Sequence, residues 1–313
     1  KDYTENSNIS SEDKRNYIMT HIEKDSKAKE IFMDMPPEEK EEFLSLAEKT
    51  YHEGITIMDS NMSQYIDENL IILLKEGKLK DKDKDGKSLL HILTDMEKQE
   101  FSEGLDGKKI LEETLRNLAR PDSICQKSKG TCTVTTLEYI HAKNHPAEYA
   151  RIMAGLTSKS GEVTLLNGDK LVRDEGLIED DFSGRSAVDR IYQASMMEYG
   201  NGERDYINKE DASFRVEIKP DGTRSIVETD KHGGLPSSGL NKTMNAVLPY
   251  ISEVQYFTTD TPENRKVFEE KVNQALSEGK PVPVTLSWGK NNYSFSFGSH
   301  ELAVEKIDDT YVY

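Results

Sequence analysis

The 313-residue chain carries 41 Lys and Arg against 58 Asp and Glu, a formal net charge of −17, so it repels nucleic-acid phosphates and anionic membrane surfaces. Its longest apolar run, Leu70-Ile71-Ile72-Leu73-Leu74, is far short of the roughly 20 residues that cross a bilayer, which excludes a helical membrane span. Two cysteines, Cys125 and Cys132, are too few for a disulfide scaffold in a chain this long and draw attention to thiol reactivity.

The chain opens at Lys1 with no basic-then-apolar leader. Any targeting segment is expected to have been removed or to lie outside this sequence, with secretion and a cytoplasmic location both open. Residues 1–13 are polar and lack an apolar period, which predicts a loose tail. From there to Arg120 the pattern is helical. Pro36-Pro37 opens a helix with Phe43, Leu44 and Ala47 at helical spacing, and Gly54 follows its end. Further helices are predicted over 61–76, 87–101 and 108–118. Asp81, Asp83, Asp85 and Gly86 imitate the start of a calcium loop, but Ile92 stands at the twelfth position, where a bidentate Glu is required. The reading there is a solvated turn before the helix of Leu89, Leu90 and Leu93.

Beyond Arg120, glycines and strand signals enter. Short strands flank Asn167-Gly168, and Val216 and Ile218 alternate up to Pro220-Asp221-Gly222, after which Ser225-Ile226-Val227 return; both read as hairpins. Helices are expected over 186–199, ending at Gly200, over 262–277, and from Ser238. The C-terminal stretch reads as sheet: 282–286, 293–297, 301–307 and 310–313. Trp288, the only tryptophan, lies between two of these strands as a cleft wall or a core aromatic. The runs of acidic residues read as solvated helix faces.

The chemistry concentrates at Cys125-Gln126-Lys127-Ser128-Lys129-Gly130-Thr131-Cys132. Thr131 is a good N-cap, and the apolar content of Leu137, Tyr139 and Ile140 supports a helix starting at Cys132. The partial positive charge there, with an imidazolium partner, favours thiolate over thiol. The β-branched run Thr133-Val134-Thr135-Thr136 prefers strand and must be overridden by packing. His141 and His145 are expected to be helix-end cations before Pro146, since no Glu stands in the HExxH position. His300 follows Gly298-Ser299 at the start of an alternating strand, where its imidazole can face a cleft. Gln126 and the N–H of Cys132 would meet a developing oxyanion.

Gln126 six residues before a helix-opening Cys132, with a later Gly-Ser-His300 opening an apolar strand, resembles the papain-like cysteine peptidases. That resemblance covers about residues 120 to 313. It implies Cys132 as nucleophile, His300 as base and Gln126 as oxyanion donor, acting on a protein or peptide substrate without a cofactor or metal. The order of the 186–202 segment, His232-Gly233-Gly234 and the next helix is similar to calpain-like members, and it implies Gly233 and Gly234 as substrate-binding. The Cys132 neighbourhood departs from the usual small and aromatic surroundings. The family's third residue, an Asn or Asp after the histidine, is not visible, so it is expected beyond Tyr313. Cys125 is expected as a reduced, buried core residue.

The expected architecture is α+β: a tail over 1–13, a helical domain over 14–105, and a papain-like domain of helix plus antiparallel sheet over 106–313. The same Cys-His chemistry also serves deamidases and transglutaminases. A papain-fold binding module without turnover is the rival from another class.

Overall fold

The computed structural model describes residues 10–50, 65–202, 205–211, 215–218, 223–227, 233–252, 254–256, 261–287 and 299–307. Among these the protein is α+β and mostly helical, with eleven α-helices and three two-stranded sheets. Its contacts divide into two compact units. The first takes the described residues up to Ile124 together with His141–Val163 and Ser186–Val188; the second takes Cys125–Ile140, Thr164–Arg185 and the described residues from Asp189 on.

In the first unit, α1 (Ser11–Lys24) begins earlier than the expected tail allows, because the Ser10 side chain accepts the Asp13 N–H and so satisfies one of the free donors of the first turn. Asp25 then caps α2 (Ser26–Asp34) by accepting from Lys27 and Ala28, and pairs with Lys75 at 2.7 Å. Pro37 opens α3 (Pro37–Lys49) as its spacing predicts. Its buried face is Phe43, Leu46 and Ala47, with Leu46 rather than Leu44 completing the stripe. Next come α4 (Tyr65–Lys75), α5 (Leu89–Lys98), capped by Ser88, and α6 (Gly107–Ala119), capped by Asp106. Leu70, Leu73 and Leu74 of α4 are buried, as are Leu89, Leu90 and Leu93 of α5. Each such side chain contributes about 1.5–3 kcal/mol by leaving water.

The acidic turn over 80–86 is only partly solvated. Asp83 is buried, and its Oδ1 accepts the N–H groups of Asp85 and Lys87 at 3.0 and 2.8 Å. Asp81 Oδ2 accepts the Ala147 N–H at 3.0 Å, inside the first turn of a helix that the sequence reading did not identify, α8 (Pro146–Thr157). Pro146 stands at the first position of α8, where proline's fixed backbone angle is pre-shaped for a helix start.

The second unit holds the start of α7 (Cys132–Asn144) and most of α9 (Ala187–Asn201). It also holds α10 (Ser237–Val247) and α11 (Pro262–Ser277). Strands β1 (Glu162–Thr164) and β2 (Lys170–Val172) form the expected hairpin at Asn167-Gly168, closed by the Leu165 N–H donating to Asp169 at 2.8 Å. The second hairpin is β3 (Arg215–Ile218) with β4 (Arg224–Val227), antiparallel with Ile218 opposite Arg224. The third sheet pairs β5 (Val282–Ser287) with β6 (Ser299–Val304). The predicted strands at 293–297 and 310–313, and Trp288, lie outside the described residues. Helix α9 does not stop at Gly200. A Cβ there would lie 2.8 Å from Leu235, so that glycine admits a close neighbour, and Gly202, at φ +70°, follows the helix.

His141 departs from its expected part as a helix-end cation. It is fully buried, its ring meeting Tyr149 edge-on at 5.8 Å and 87°, and burial holds it neutral, well below the usual imidazole range. The unfolded ring takes up a proton below about pH 6.5, whereas the native ring resists it, so this term is present above that pH and is lost on acidification. Denaturant unfolding of the native sequence should therefore show stability falling by up to about 1.4 kcal/mol per pH unit between pH 6.5 and 5 from this residue. His141→Phe, which keeps the aromatic contact, should flatten that slope; an unchanged slope would refute the assignment.

Candidate active site

Helix α7 starts at Cys132, its first turn closed by the Thr135 N–H donating to the Thr131 carbonyl at 2.9 Å. The strand-preferring run behind it is helical because it is buried: Val134 is fully enclosed, and Thr133 and Thr136 are nearly so. Thr135 also turns its hydroxyl back to the Thr131 carbonyl at 2.9 Å, the local bond that lets a β-hydroxyl residue tolerate a helix. Thr131 stands at the N-cap, but its own hydroxyl donates to Gln193 Oε1 at 2.9 Å. Cys132 is a free, half-buried thiol at the helix N-terminus, where backbone N–H groups favour negative charge. Cys125 is likewise not in a disulfide and is half-buried rather than enclosed in the core.

The loop before Cys132 is held from three directions. Gln126 Nε2 donates to the Lys129 carbonyl at 2.9 Å and the Lys129 N–H returns to the Gln126 carbonyl at 3.2 Å. Lys127, at φ 51°, takes the left-handed bend between them. That contact uses one N–H of the Gln126 amide, which has two. The Gly130 N–H donates to both carboxylate oxygens of Asp211, at 3.1 and 3.0 Å, and the Tyr206 hydroxyl donates to the same carboxylate at 2.7 Å. The Gly130 carbonyl accepts the Gly234 N–H at 2.7 Å. A Cβ on Gly130 would lie 2.8 Å from Gly233 Cα, and one on Gly233 would lie 2.7 Å from Asp211 Oδ1. Gly233 and Gly234 therefore stand against the residue two before the thiol.

Beneath the loop runs a buried polar network. Gln193 Nε2 donates to Glu138 at 2.9 Å and to the Cys125 carbonyl at 3.3 Å, and its Oε1 also accepts from Arg185. Arg185 Nη2 reaches Asp181 at 2.6 Å and Asn208 at 2.7 Å, while Lys129 Nζ donates to the Asn208 carbonyl at 2.6 Å. Burial alone would raise the Asp181 carboxyl, but donors from Ser183, Arg185 and Asn208 outweigh it and hold it well below the carboxylate range. Burial lowers the Lys129 ammonium, with Asp181 opposing. Burial and the neighbouring Asp211 push the Tyr206 phenol up. None of these residues announces itself in sequence except Gln193, a polar residue inside a helix whose neighbours are apolar.

His300 lies in β6, opposite Leu286 of β5, and is half-buried. The Thr136 hydroxyl donates to the carbonyl of Glu301 at 3.0 Å, and the Tyr139 hydroxyl donates to Glu305 at 2.6 Å. Two side-chain hydrogen bonds thus tie helix α7 to β6 and the residue just after it. No hydrogen bond joins Cys132 to His300 among the described residues. Burial raises the Glu301 carboxyl above its usual range, opposed by the hydroxyl of Thr285. Among the described residues no cluster of His, Cys, Asp and Glu has the arrangement of a metal site.

No protein-family model, curated protein or solved structure matches the chain.

The contact at Gly130 has a direct test. Gly130→Ala should destabilise the protein by about 1–3 kcal/mol in denaturant unfolding, as overpacking does, because the atom in the way is backbone. A variant as stable as the parent would show that the loops separate freely.

Proposed function

We propose that the protein is a thiol-dependent acyl-transfer hydrolase, a cysteine peptidase of papain-like type. Cys132 attacks the carbonyl of a peptide substrate, His300 accepts the thiol proton and returns it to the leaving amine, and the Gln126 amide with the Cys132 N–H receives the oxyanion. Water then attacks the thioester with His300 again as base, releasing the acid. Gly233 and Gly234 would lie beside the bound chain with no side chain to keep it away, the Gly234 N–H being already taken by the Gly130 carbonyl.

One observation carries this reading. The helix that begins with Cys132 is tied through Thr136 to the residue next to His300, so thiol and imidazole belong to elements in direct contact although far apart in sequence. A catalytic pair needs that adjacency, and apo geometry is often looser than the reacting complex. The Lys129 carbonyl that engages Gln126 also supports the reading, since a held amide is already ordered before an oxyanion forms.

Alkylation by iodoacetamide at pH 6, with peptide mapping, tests the pair. Cys132 should react at least about tenfold faster than Cys125, and His300→Ala should remove that advantage while leaving the fold intact by circular dichroism. With peptide substrates Cys132→Ala should abolish turnover, and Gln126→Ala should lower kcat by about 10²-fold with little change in KM. Slow alkylation at Cys132 that His300→Ala does not alter would defeat the assignment.

A further inference from the structure

One loop of the second unit presents an aromatic ring to solvent on a strained backbone. Phe182 is 92 % exposed, the highest value of any large apolar residue among those described. It stands at φ 55°, a left-handed conformation that is an outlier for a bulky side chain. Single apolar residues on a surface are ordinary. What sets this one apart is how firmly its neighbours are held and what they touch.

The loop is pinned around the ring. The Phe182 N–H donates to Asp180 Oδ1 at 3.0 Å and the Ser183 N–H to Asp181 Oδ1 at 3.1 Å. The other Asp181 oxygen accepts from Arg185 at 2.6 Å and from Asn208 at 2.9 Å, and the Asp181 and Arg185 side chains are 2 % and 0 % exposed. Strain of this kind persists only where the surroundings over-determine the backbone, and it gathers at ligand contacts. The bend does not call for a ring, since Gly or Asn takes it at less cost.

The same carboxylate faces the thiol loop. Lys129 Nζ lies 3.8 Å from Asp181 Oδ2, and the Lys129 carbonyl is the group that holds the Gln126 amide. A Cβ on Gly184 would lie 3.8 Å from Lys127 Cγ, an ordinary contact distance, and Lys127 follows Gln126 in the chain. Residues on both sides of the ring therefore fix it to the segment that carries the oxyanion donor. A ring already ordered loses little entropy when another group stacks on it, and an aromatic partner adds offset or edge contact to the apolar burial.

We propose, resting on the thiol reading above, that Phe182 selects the substrate of the Cys132 site: it receives an apolar side chain, best an aromatic one, of the peptide whose carbonyl Cys132 attacks.

Second-order rates of Cys132 alkylation in the full chain, resolved by peptide mapping, test it with two kinds of reagent. Iodoacetamide reads the thiol alone. Chloroacetyl tripeptide amides and tripeptidyl chloromethyl ketones, from which the thiolate displaces chloride, also read the surface around it when Phe stands at one position and Gly at the others. Against the all-glycine reagents, at least one Phe placement should react about tenfold faster or more. Phe182→Asn should remove that gain while leaving the iodoacetamide rate at Cys132 and the thermal midpoint unchanged, because Asn accepts the left-handed bend. No gain from any Phe placement, a gain that survives Phe182→Asn, or a clear fall in the midpoint, which would mean that the ring serves the fold, would each overturn the proposal. Failure of the thiol reading looks different: slow iodoacetamide reaction at Cys132 in the parent, indifferent to His300→Ala, removes both.

Discussion

The geometry around Cys132 depends on one carboxylate. Asp211 accepts the Gly130 N–H on both oxygens and the Tyr206 hydroxyl on one, and it is almost wholly buried. A buried charge is tolerated only where donors replace its water, and a charge-assisted bond is about twice as strong as a neutral one. The donor it fixes lies two residues before the thiol. With that point fixed, the Gly130 carbonyl faces the Gly234 N–H, and helix α7 leaves the loop along a defined line.

The network below the loop obeys the same rule. Asp181, Arg185, Lys129, Asn208 and Gln193 are each buried or nearly so, and each is met by a partner of opposite sign or a complementary dipole. An ion pair in such a place stabilises little in net terms, because desolvation offsets most of the attraction, but breaking one member leaves an exposed cost of several kcal/mol. The arrangement therefore specifies a single conformation more than it deepens the energy minimum.

Much of the fold was legible because local rules set it. Pro37 opens a helix where its chemistry says it should, helices stand near the expected 87–101 and 108–118, and the Asn167-Gly168 turn closes its hairpin. The start of α7 at Cys132 was legible from Thr131 and the apolar residues that follow. Where the reading failed, a distant partner decided: Pro146 opens α8 with Asp81 capping it from 66 residues away, and His141 is neutral because of what surrounds it. Sequence singles out Gln126, Cys132, Gly233-Gly234 and His300 as a candidate site, but not what holds its thiol loop. Its holding bond joins Gly130 to Asp211, 81 residues apart, and no periodicity or spacing encodes a contact between two such ordinary residues.

The meeting of Gly130 with Gly233 also bears on how this protein could diversify. Where two main chains touch with no side chain between them, the interface has no alphabet: almost any replacement obstructs it, and none can tune it. Selectivity for one partner over another would have to be written in the residues around that seam, which are free to vary, while the seam itself stays the same across any descendants that keep it.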